Sequence, residues 1–406
     1  MQETAWRIAV VGAGPVGLAL ALHAARALPQ AQITVFDARP ATRDVSADPR
    51  TLALALGSIH LLERLHAWPA EAAVPIAEVH VSQQTPALLP ALLGAAQPEV
   101  RLAAAELGVP MLGAVLSYGA LLAPLQRAWF DAVAREPARL AARFGTPVAA
   151  LKPLGPPGAG VEPLGAGVEV DAGVAEPFDL AVVAEGGVFA DQARKAIARP
   201  YGQTAWVGTV RLEGARPGMA FERFTGRGPA ALLPLARDGT RAALVWCVPD
   251  DDDPVRELDD AQRAAVLSAI FPPPAGRVVE VSPLKSFALG LNAERTLVQG
   301  RRVSIGNAAQ TLHPVAGQGL NLGLRDAHAL VAALRDAHDV DAALRRVEWS
   351  RAADRWSMIA ATDFLARSFT WQAPGLAGLR GAALAALDAL PAAKGVLARR
   401  MMFGWR

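Results

Sequence analysis

The chain has 406 residues, 52% hydrophobic and 19% charged, a globular composition with room for two domains. Its 40 Lys and Arg against 38 Asp and Glu leave a formal net charge of +2, a near-balance that argues against nucleic acid as the main partner. A single cysteine, Cys247, excludes internal disulfides and cysteine-cluster metal sites and suits a reducing cytoplasm. The first residues carry no signal-peptide pattern, and no uncharged apolar run reaches the length of a membrane span. The expected setting is the cytoplasm, or its periphery at the inner face of the membrane.

Residues 7–17, RIAVVGAGPVG, join a β-branched run to the glycine-rich turn Gly12-Ala13-Gly14-Pro15-Val16-Gly17. An apolar helix follows from Val16 to about Leu28, and a second strand from Ile33 to Phe36 ends in Asp37. Strand, glycine turn, helix, strand and terminal acid make up the context of the dinucleotide fingerprint. Gly12 permits the tight turn, and Gly14 lets the backbone approach a pyrophosphate. Gly17 allows close helix–strand packing, and Asp37 is placed for ribose hydroxyls. The pattern does not separate NAD from FAD.

Residues 48–67 read as a helix with Asp48 as N-cap and Pro49 at its first position. Arg50 then falls in the first turn, where a cation opposes the helix dipole. It is either a plain surface arginine or one that faces an anion such as the phosphates of a cofactor. Residues 76–83 alternate like a half-buried strand. A helix from about Tyr118 to Ala134 places Arg127 among leucines and Trp129, where a snorkelling side chain is the plain reading. Residues 152–168 are rich in Pro and Gly, a connecting loop or loose hairpin, and FDLAVVAEGG (178–187) is a second buried strand ending at Glu185 and two glycines. From 203 to 248, TAWVGTVRL, MAFERF, AALLPL and RAALVWCV read as an antiparallel sheet. The acidic run 250–253 lacks spaced ligands and reads as a solvated loop, followed by a helix from about Leu258 to Ile270.

Residues 304–326, SIGNAAQTLHPVAGQGLNLGLRD, begin as a short strand and turn at Gly306-Asn307. They run through a Pro- and Gly-studded loop into a helix opening near Gly319. Leu320, Leu324, Ala327, Val331 and Leu334 recur at helical spacing, and four glycines imply backbone against something that a Cβ would strike. The helix start offers unpaired N–H groups and partial positive charge. The tail 373–406 is rich in Ala and Leu, is broken by Arg380, Asp388, Pro391 and Lys394, and ends in Arg399, Arg400, Met401, Met402, Phe403 and Trp405. It reads as an amphipathic helix on the body, or as a surface that touches lipid or a partner protein.

Together, GAGPVG and the 304–326 stretch resemble the FAD-dependent aromatic hydroxylases of the para-hydroxybenzoate hydroxylase type. DPRTLALALGSIHLLERL (48–65) and HPVAGQGLNLGLRD (313–326) are most similar to the ubiquinone-biosynthesis hydroxylases, and GNAAQTLHP (306–314) to their 2-polyprenyl-6-methoxyphenol hydroxylase branch. The resemblance implies that Gly12, Gly14 and Gly17 hold the ADP part of FAD, with Asp37 on its ribose. It implies cofactor contacts for Arg50 and Arg127. Asn307, beside Gly306, falls where the family has the Asp that bonds the ribitol. Pro314, Gly317, Gln318, Gly319, Leu320 and Asn321 match the loop beside the flavin ring. Glu185-Gly186 replaces the family's middle Asp-Gly, and the Ser expected next falls within Val188-Phe189, with Arg194 downstream.

The fold so implied is α/β, a Rossmann-like FAD-binding domain of that type interrupted by a mixed or antiparallel β-sheet substrate domain. The FAD-binding part takes residues 1–73, 100–200 and 280–365, the sheet domain 74–99 and 201–279, and a helical C-terminal region 366–406. The implied chemistry is reduction of FAD by NADH or NADPH, addition of O2 at the flavin C4a carbon, and transfer of one oxygen from that hydroperoxide to a polyprenylated phenol. His313 is the titratable group in the key stretch, either helping to ionise the phenol or serving a structural role before Pro314. Trp206, Phe221, Phe224 and Trp246 are either walls of the substrate cavity or core. The competing readings are a flavin-dependent prenyl reductase without oxygen insertion and a non-catalytic lipid-binding subunit of a biosynthetic complex. Neither a metal nor nucleic acid is expected.

Overall fold

In the computed structural model, which describes residues 6–84, 98–154, 167–186, 195–314, 317–368 and 376–404, the N-terminal fingerprint folds as its pattern requires. Strand β1 (Arg7–Val11) leads into α1 (Pro15–Ala27), which has Pro15 at its first position, and β2 (Gln32–Asp37) returns parallel to β1. Next come β3 (Thr51–Ala55), α2 (Leu56–Arg64), β4 (Val74–Ile76), β5 (Glu78–Gln83), β6 (Glu99–Ala103) and β7 (Gly113–Ser117). The helix expected over 48–67 is therefore shorter. Asp48 does not cap it; its carboxylate accepts from the Arg50 backbone N–H at 3.1 Å, closing an Asx-type turn. Residues 51–55 then pair antiparallel with β7, so a distant strand overrides the local helix signal.

Helix α3 (Tyr118–Arg135) starts on Ser117, whose hydroxyl accepts from the Ala120 N–H. After it come β8 (Leu140–Phe144), β9 (Ala150–Leu154), β10 (Gly167–Asp171), β11 (Ala175–Phe178) and β12 (Leu180–Val183). Strands β9 and β10 are the legs of an antiparallel pair; most of the Pro/Gly-rich stretch between them lies outside the described residues. The expected sheet follows as β13 (Ile197–Glu213), β14 (Met219–Thr225), β15 (Gly228–Pro234) and β16 (Arg241–Pro249). Helix α4 (Asp260–Ile270), opened by an Asp259–Gln262 capping box, leads to β17 (Arg277–Val281), β18 (Lys285–Ala293), β19 (Val298–Gln299), β20 (Arg302–Ser304) and β21 (Gln310–Thr311). Four helices close the chain: α5 (Gln318–Asp336), α6 (Val340–Ser368), α7 (Leu376–Asp388) and α8 (Pro391–Phe403).

Two sheets carry the molecule. The first has the order β19-β20-β12-β1-β2-β8 and is parallel except at β19. Buried on one side of it, α1 packs against α3 and α5. The second runs β21-β18-β13-β16-β15-β14-β5-β6, with β17 beside β13, and is antiparallel except where β14 meets β5. Strand β6 and strand β18, which the sequence assigns to the nucleotide-binding part, pair within this second sheet. Its α4-facing side buries Phe221, Leu232, Leu244 and Trp246 with Leu267 and Phe271.

Helices α5 and α6 are joined by buried charges rather than by apolar packing alone. Arg351 reaches Asp326 at 2.8 Å and Asp354 at 2.7 Å, and Arg325 reaches Asp354 at 3.1 Å. Asp326 is 0% exposed, so it depends wholly on these partners and on the Gln310 amide at 3.3 Å. Replacing Arg351 by Met strands that carboxylate and is expected to lower unfolding free energy by about 3–5 kcal/mol. Adding Asp326→Leu to it should recover most of the loss. Denaturant midpoints at unchanged m-value check this, and a single variant as stable as the parent contradicts it.

Candidate functional site

The parallel strands of the first sheet all end at one edge, where open α/β sheets place their ligands. Gly12 follows β1, Asp37 ends β2, Glu185 follows β12, and Gly306 follows β20. The turns touch: a Cβ on Gly12, whose φ is +103°, would lie 2.8 Å from the Glu185 nitrogen, and one on Gly186 would lie 2.3 Å from the Asn307 Cβ. A Cβ on Gly17 would lie 2.0 Å from the Gly12 carbonyl oxygen, which is the close helix–strand approach its spacing suggests. Gly14 differs. A Cβ there meets only the Tyr118 hydroxyl at 3.6 Å, so the turn presents open backbone at the start of α1. That start has neither a side-chain cap nor an acidic residue, which leaves its N–H groups and positive dipole end for an anion.

Charge around this opening is arranged by Asp37. Its carboxylate accepts from the Ala13 N–H at 2.7 Å and from the Arg39 guanidinium at 2.8 and 2.9 Å. Burial pushes the Asp37 pKa up, but the Arg39 and Ala13 hydrogen bonds outweigh it and the net shift is downward. Arg39 also donates to the Ala13 carbonyl, so the pair braces the glycine turn from outside. Arg50 lies on the Tyr118 ring at 4.1 Å and pairs with Asp48 at 2.7 Å. Two arginines thus stand beside the Tyr118 hydroxyl that overlooks Gly14. Arg127 does not join them; it is exposed, more than two turns along α3 from Tyr118. Arg39 and Tyr118 are the residues that motif spacing missed, because neither belongs to the glycine pattern, although Arg39 lies two residues past the acid.

The late loop meets α1 from the other side. Asn307 and Glu185 are exposed at the sheet edge. Gly317, at φ +59°, caps α5, which again has no side-chain cap and no acid in its first turn. A Cβ on Gly319 meets nothing within 4 Å, whereas one on Gly323 would lie 2.7 Å from the Gly306 Cα and 2.9 Å from Val16. The glycines therefore divide: Gly306 and Gly323 seat α1, and Gly319 faces open space. Leu320 is half-buried behind it, and Pro314 precedes residues 315–316, which lie outside the described residues, as do Val188, Phe189 and Arg194.

Three side chains of the loop are committed to the protein. Asn321, 2% exposed, accepts from the Ala55 N–H and the Ser58 hydroxyl at 2.8 Å and donates to the Ala53 and Gly317 carbonyls. All its side-chain capacity staples α5 to β3 and α2, so what Asn321 offers the loop's open side is its backbone. Gln318 accepts from Arg325 at 2.9 Å and is buried. His313 is 2% exposed, and its Nε2 is 3.1 Å from the Gln203 amide oxygen, with the Tyr201 ring edge against it. Burial pushes its pKa down to about 4, so it is neutral at pH 7 and a weak base for a phenol. Phe221 and Trp246 belong to the α4-side core with Trp206 against them, and Phe224 packs with Val81 and Leu365. Among the described residues no group of His, Cys, Asp or Glu could hold a metal ion.

Residues 193–362 match the family model described as an FAD binding domain. The chain is 36% identical over 209 residues to ubiquinone hydroxylase UbiL of Rhodospirillum rubrum, covering 50% of this chain and 48% of that protein. It thus spans about half the length of that relative. To 3-demethoxyubiquinol 3-hydroxylase of Escherichia coli it is 29% identical over 408 residues, covering 96% of each chain. The crystal structure of Klebsiella pneumoniae HpxO complexed with FAD and uric acid superposes with a TM-score of 0.69 at 18% identity, over 97% of this chain and 96% of that one, a likeness of fold.

Two glycine substitutions separate fold from ligand. Gly17→Ala drives a methyl into the Gly12 carbonyl and should cost about 1–3 kcal/mol of stability. Gly319→Val enters open space, so stability should change by less than about 1 kcal/mol while flavin binding is lost. Full flavin absorbance in purified Gly319→Val protein would rule out this placement of the loop.

Protonation supplies a second test. Burial, and for His23 also the neighbouring His328, pushes His23 and His313 from 6.5 down to about 4. The unfolded chain binds protons there before the folded chain does, so both residues contribute stability above pH 6.5 that is lost as pH falls toward about 4. Urea unfolding between about pH 7 and pH 5 should show this decline, and His313→Gln should flatten it. An unchanged slope in that variant refutes the neutral assignment.

Proposed function

This chain belongs to the FAD-dependent monooxygenase family, and from that premise we propose that it hydroxylates the ring of a polyprenylated phenol in ubiquinone biosynthesis. NADH or NADPH is the reductant. The balance is one ring C–H, one O2, one NAD(P)H and one proton giving the C–OH, water and NAD(P)+. The observation that carries the reading is the convergence of two uncapped helix starts, those of α1 and α5, on one sheet edge around Val16. The full-length similarity to 3-demethoxyubiquinol 3-hydroxylase supports the substrate class.

The residues fit FAD because open backbone at Gly14 and at Gly319 leaves the space that each end of it requires. Gly12, Gly14 and Gly17 let the turn approach the pyrophosphate, which the α1 N–H groups and the Arg39 and Arg50 cations neutralise. Asp37 holds that turn and offers its remaining lone pairs to the ribose. Glu185 and Asn307, exposed at the strand ends, would hold the ribitol; Asn307 could accept and donate there without adding charge. Bound at this edge, the flavin supplies the activation of dioxygen. Pro314 and the backbone from Gly317 to Asn321 line its ring, and the α5 dipole stabilises negative charge that develops there. His313, neutral and held by Gln203, positions the loop before Pro314 rather than carrying a proton.

A polyprenylated phenol resides in a membrane, so this reading places the enzyme peripherally at the inner face of one. Incubation with a prenylated phenol and labelled dioxygen tests the chemistry. NAD(P)H oxidation should accelerate with the phenol, and one labelled oxygen atom should enter each product ring. Oxidation with a reduced prenyl chain and no label would instead identify a reductase.

A further inference from the structure

Helices α7 and α8 enclose an angle of 94° around the break at Pro391. Their exposed residues from 378 to 397 are all alanine, glycine, proline, leucine or valine. Leu379 is 67% exposed, Leu390 57%, Val396 54% and Leu397 38%. The three charged residues in that span are engaged with the protein. Arg380 donates to the Ser368 carbonyl. Asp388 accepts from the Arg101 N–H at 3.2 Å and pairs with Lys394 at 3.4 Å, and Lys394 also reaches Glu106 at 3.2 Å. Beyond the apolar span, Arg399 and Arg400 are exposed, and no acidic residue follows Asp388 in the chain.

We propose that this outer face of α7 and α8 is a docking surface for an anionic phospholipid bilayer, on which the chain rests without crossing. Among the described residues no single helix is long and apolar enough to span; α7 and α8 reach that length only together, and the 94° bend between them and the bonds of Arg380, Asp388 and Lys394 to the body hold them along a surface. A protein partner fits less well. Protein interfaces rely on aromatic and arginine anchors and a hydrogen-bonding rim, whereas the exposed residues of this face carry only hydrogen or hydrocarbon side chains. Lipid requires only apolar area, with cations at the headgroup level. Arg399, exposed at its border, supplies that charge complementarity.

The surface deepens the reading above by naming where a membrane-borne substrate is met, and it rests on that reading only for its purpose. Helix α8 joins the two regions. Its outer face carries Val396 and Leu397, while Met402 and Phe403 on its inner side lie in one apolar cluster with Ile76, Leu112, Val115 and Leu233 of the substrate sheet and its neighbours. The buried inner side thus anchors α8 to the body and leaves its outer face to the lipid.

The test is flotation of the full-length FAD-bound chain with vesicles of phosphatidylcholine and phosphatidylglycerol, read without turnover. The parent should float, and less so with phosphatidylcholine alone or in high salt. Leu379→Glu with Val396→Glu should weaken binding about ten-fold or more per substitution, with flavin absorbance and thermal midpoint unchanged. Arg399→Glu should remove the preference for anionic lipid. Flotation unchanged in the double variant, or none in the parent, overturns the proposal. So does a dimer of the parent, seen by light scattering, that the double variant abolishes, since a second copy would then cover the face. Turnover of a short-chain, water-soluble phenol should be the same in parent and double variant, so loss of lipid binding and failure of the hydroxylase reading are told apart.

Discussion

Val16 sits in a notch that exists only because residues 306 and 323 lack side chains. A Cβ on Gly306 would come within 3.3 Å of the Val16 side chain, and one on Gly323 within 2.9 Å. This close approach brings the turn after β20 and the first turns of α5 onto the first turn of α1, across some three hundred residues of chain. The rest of the site depends on it. If either glycine gained a side chain, α1 would be held off, and the two helix starts would no longer converge on one sheet edge. Interiors packed at crystal density relax poorly around such an insertion.

A polar shell fixes what that apolar notch leaves adjustable. Asn321 uses both ends of its amide to tie α5 to β3, α2 and the Gly317 carbonyl. One turn further, Arg325 joins Gln318, Asp354 and the Met401 carbonyl of α8. The loop that faces the open space at Gly319 is thus set by α2, α6 and α8 together. Buried hydrogen-bonded groups of this kind have few alternative partners, so they specify one arrangement more sharply than apolar packing does.

What is legible in the sequence follows from where the constraint is local. The GAGPVG turn, its flanking strands and Asp37 are read from neighbours within thirty residues, and β1, α1 and β2 form there. The runs of 203–248 alternate over their own length and become β13 to β16. The segment 51–55 is not legible as a strand, because its partner is β7, some sixty residues away, and its own residues suit a helix equally. Motif position places Asn321 in the loop beside the ring but does not show where its side chain goes; that its amide is fully occupied depends on β3 and α2, which only the fold brings to it. Arg39 and Tyr118 escape sequence reasoning for the same reason.

Helix starts are closed at some places and left open at others, α2 on Ala55 and α8 on Leu390 being open as well. Helix α3 is closed by the Ser117 hydroxyl and α4 by a full Asp259–Gln262 capping box. Helices α1 and α5 begin on glycine, with no side-chain cap and no acid in the first turn. A cap contributes about 1 kcal/mol; Ser or Asp at position 14, where the backbone is extended, would supply the group, whereas position 317 is held at φ +59° and suits glycine. Such a side chain would also fill the space over the open turn and place its oxygen where an anion would bind. The missing caps thus cost stability, and they leave two positive helix ends aimed at the same edge. One faces Gly14 between Arg39 and Arg50, where phosphate charge would be neutralised. The other faces Gly319, where negative charge on a bound ring would be stabilised, and a capping side chain at either place would compete with that charge for the same N–H groups.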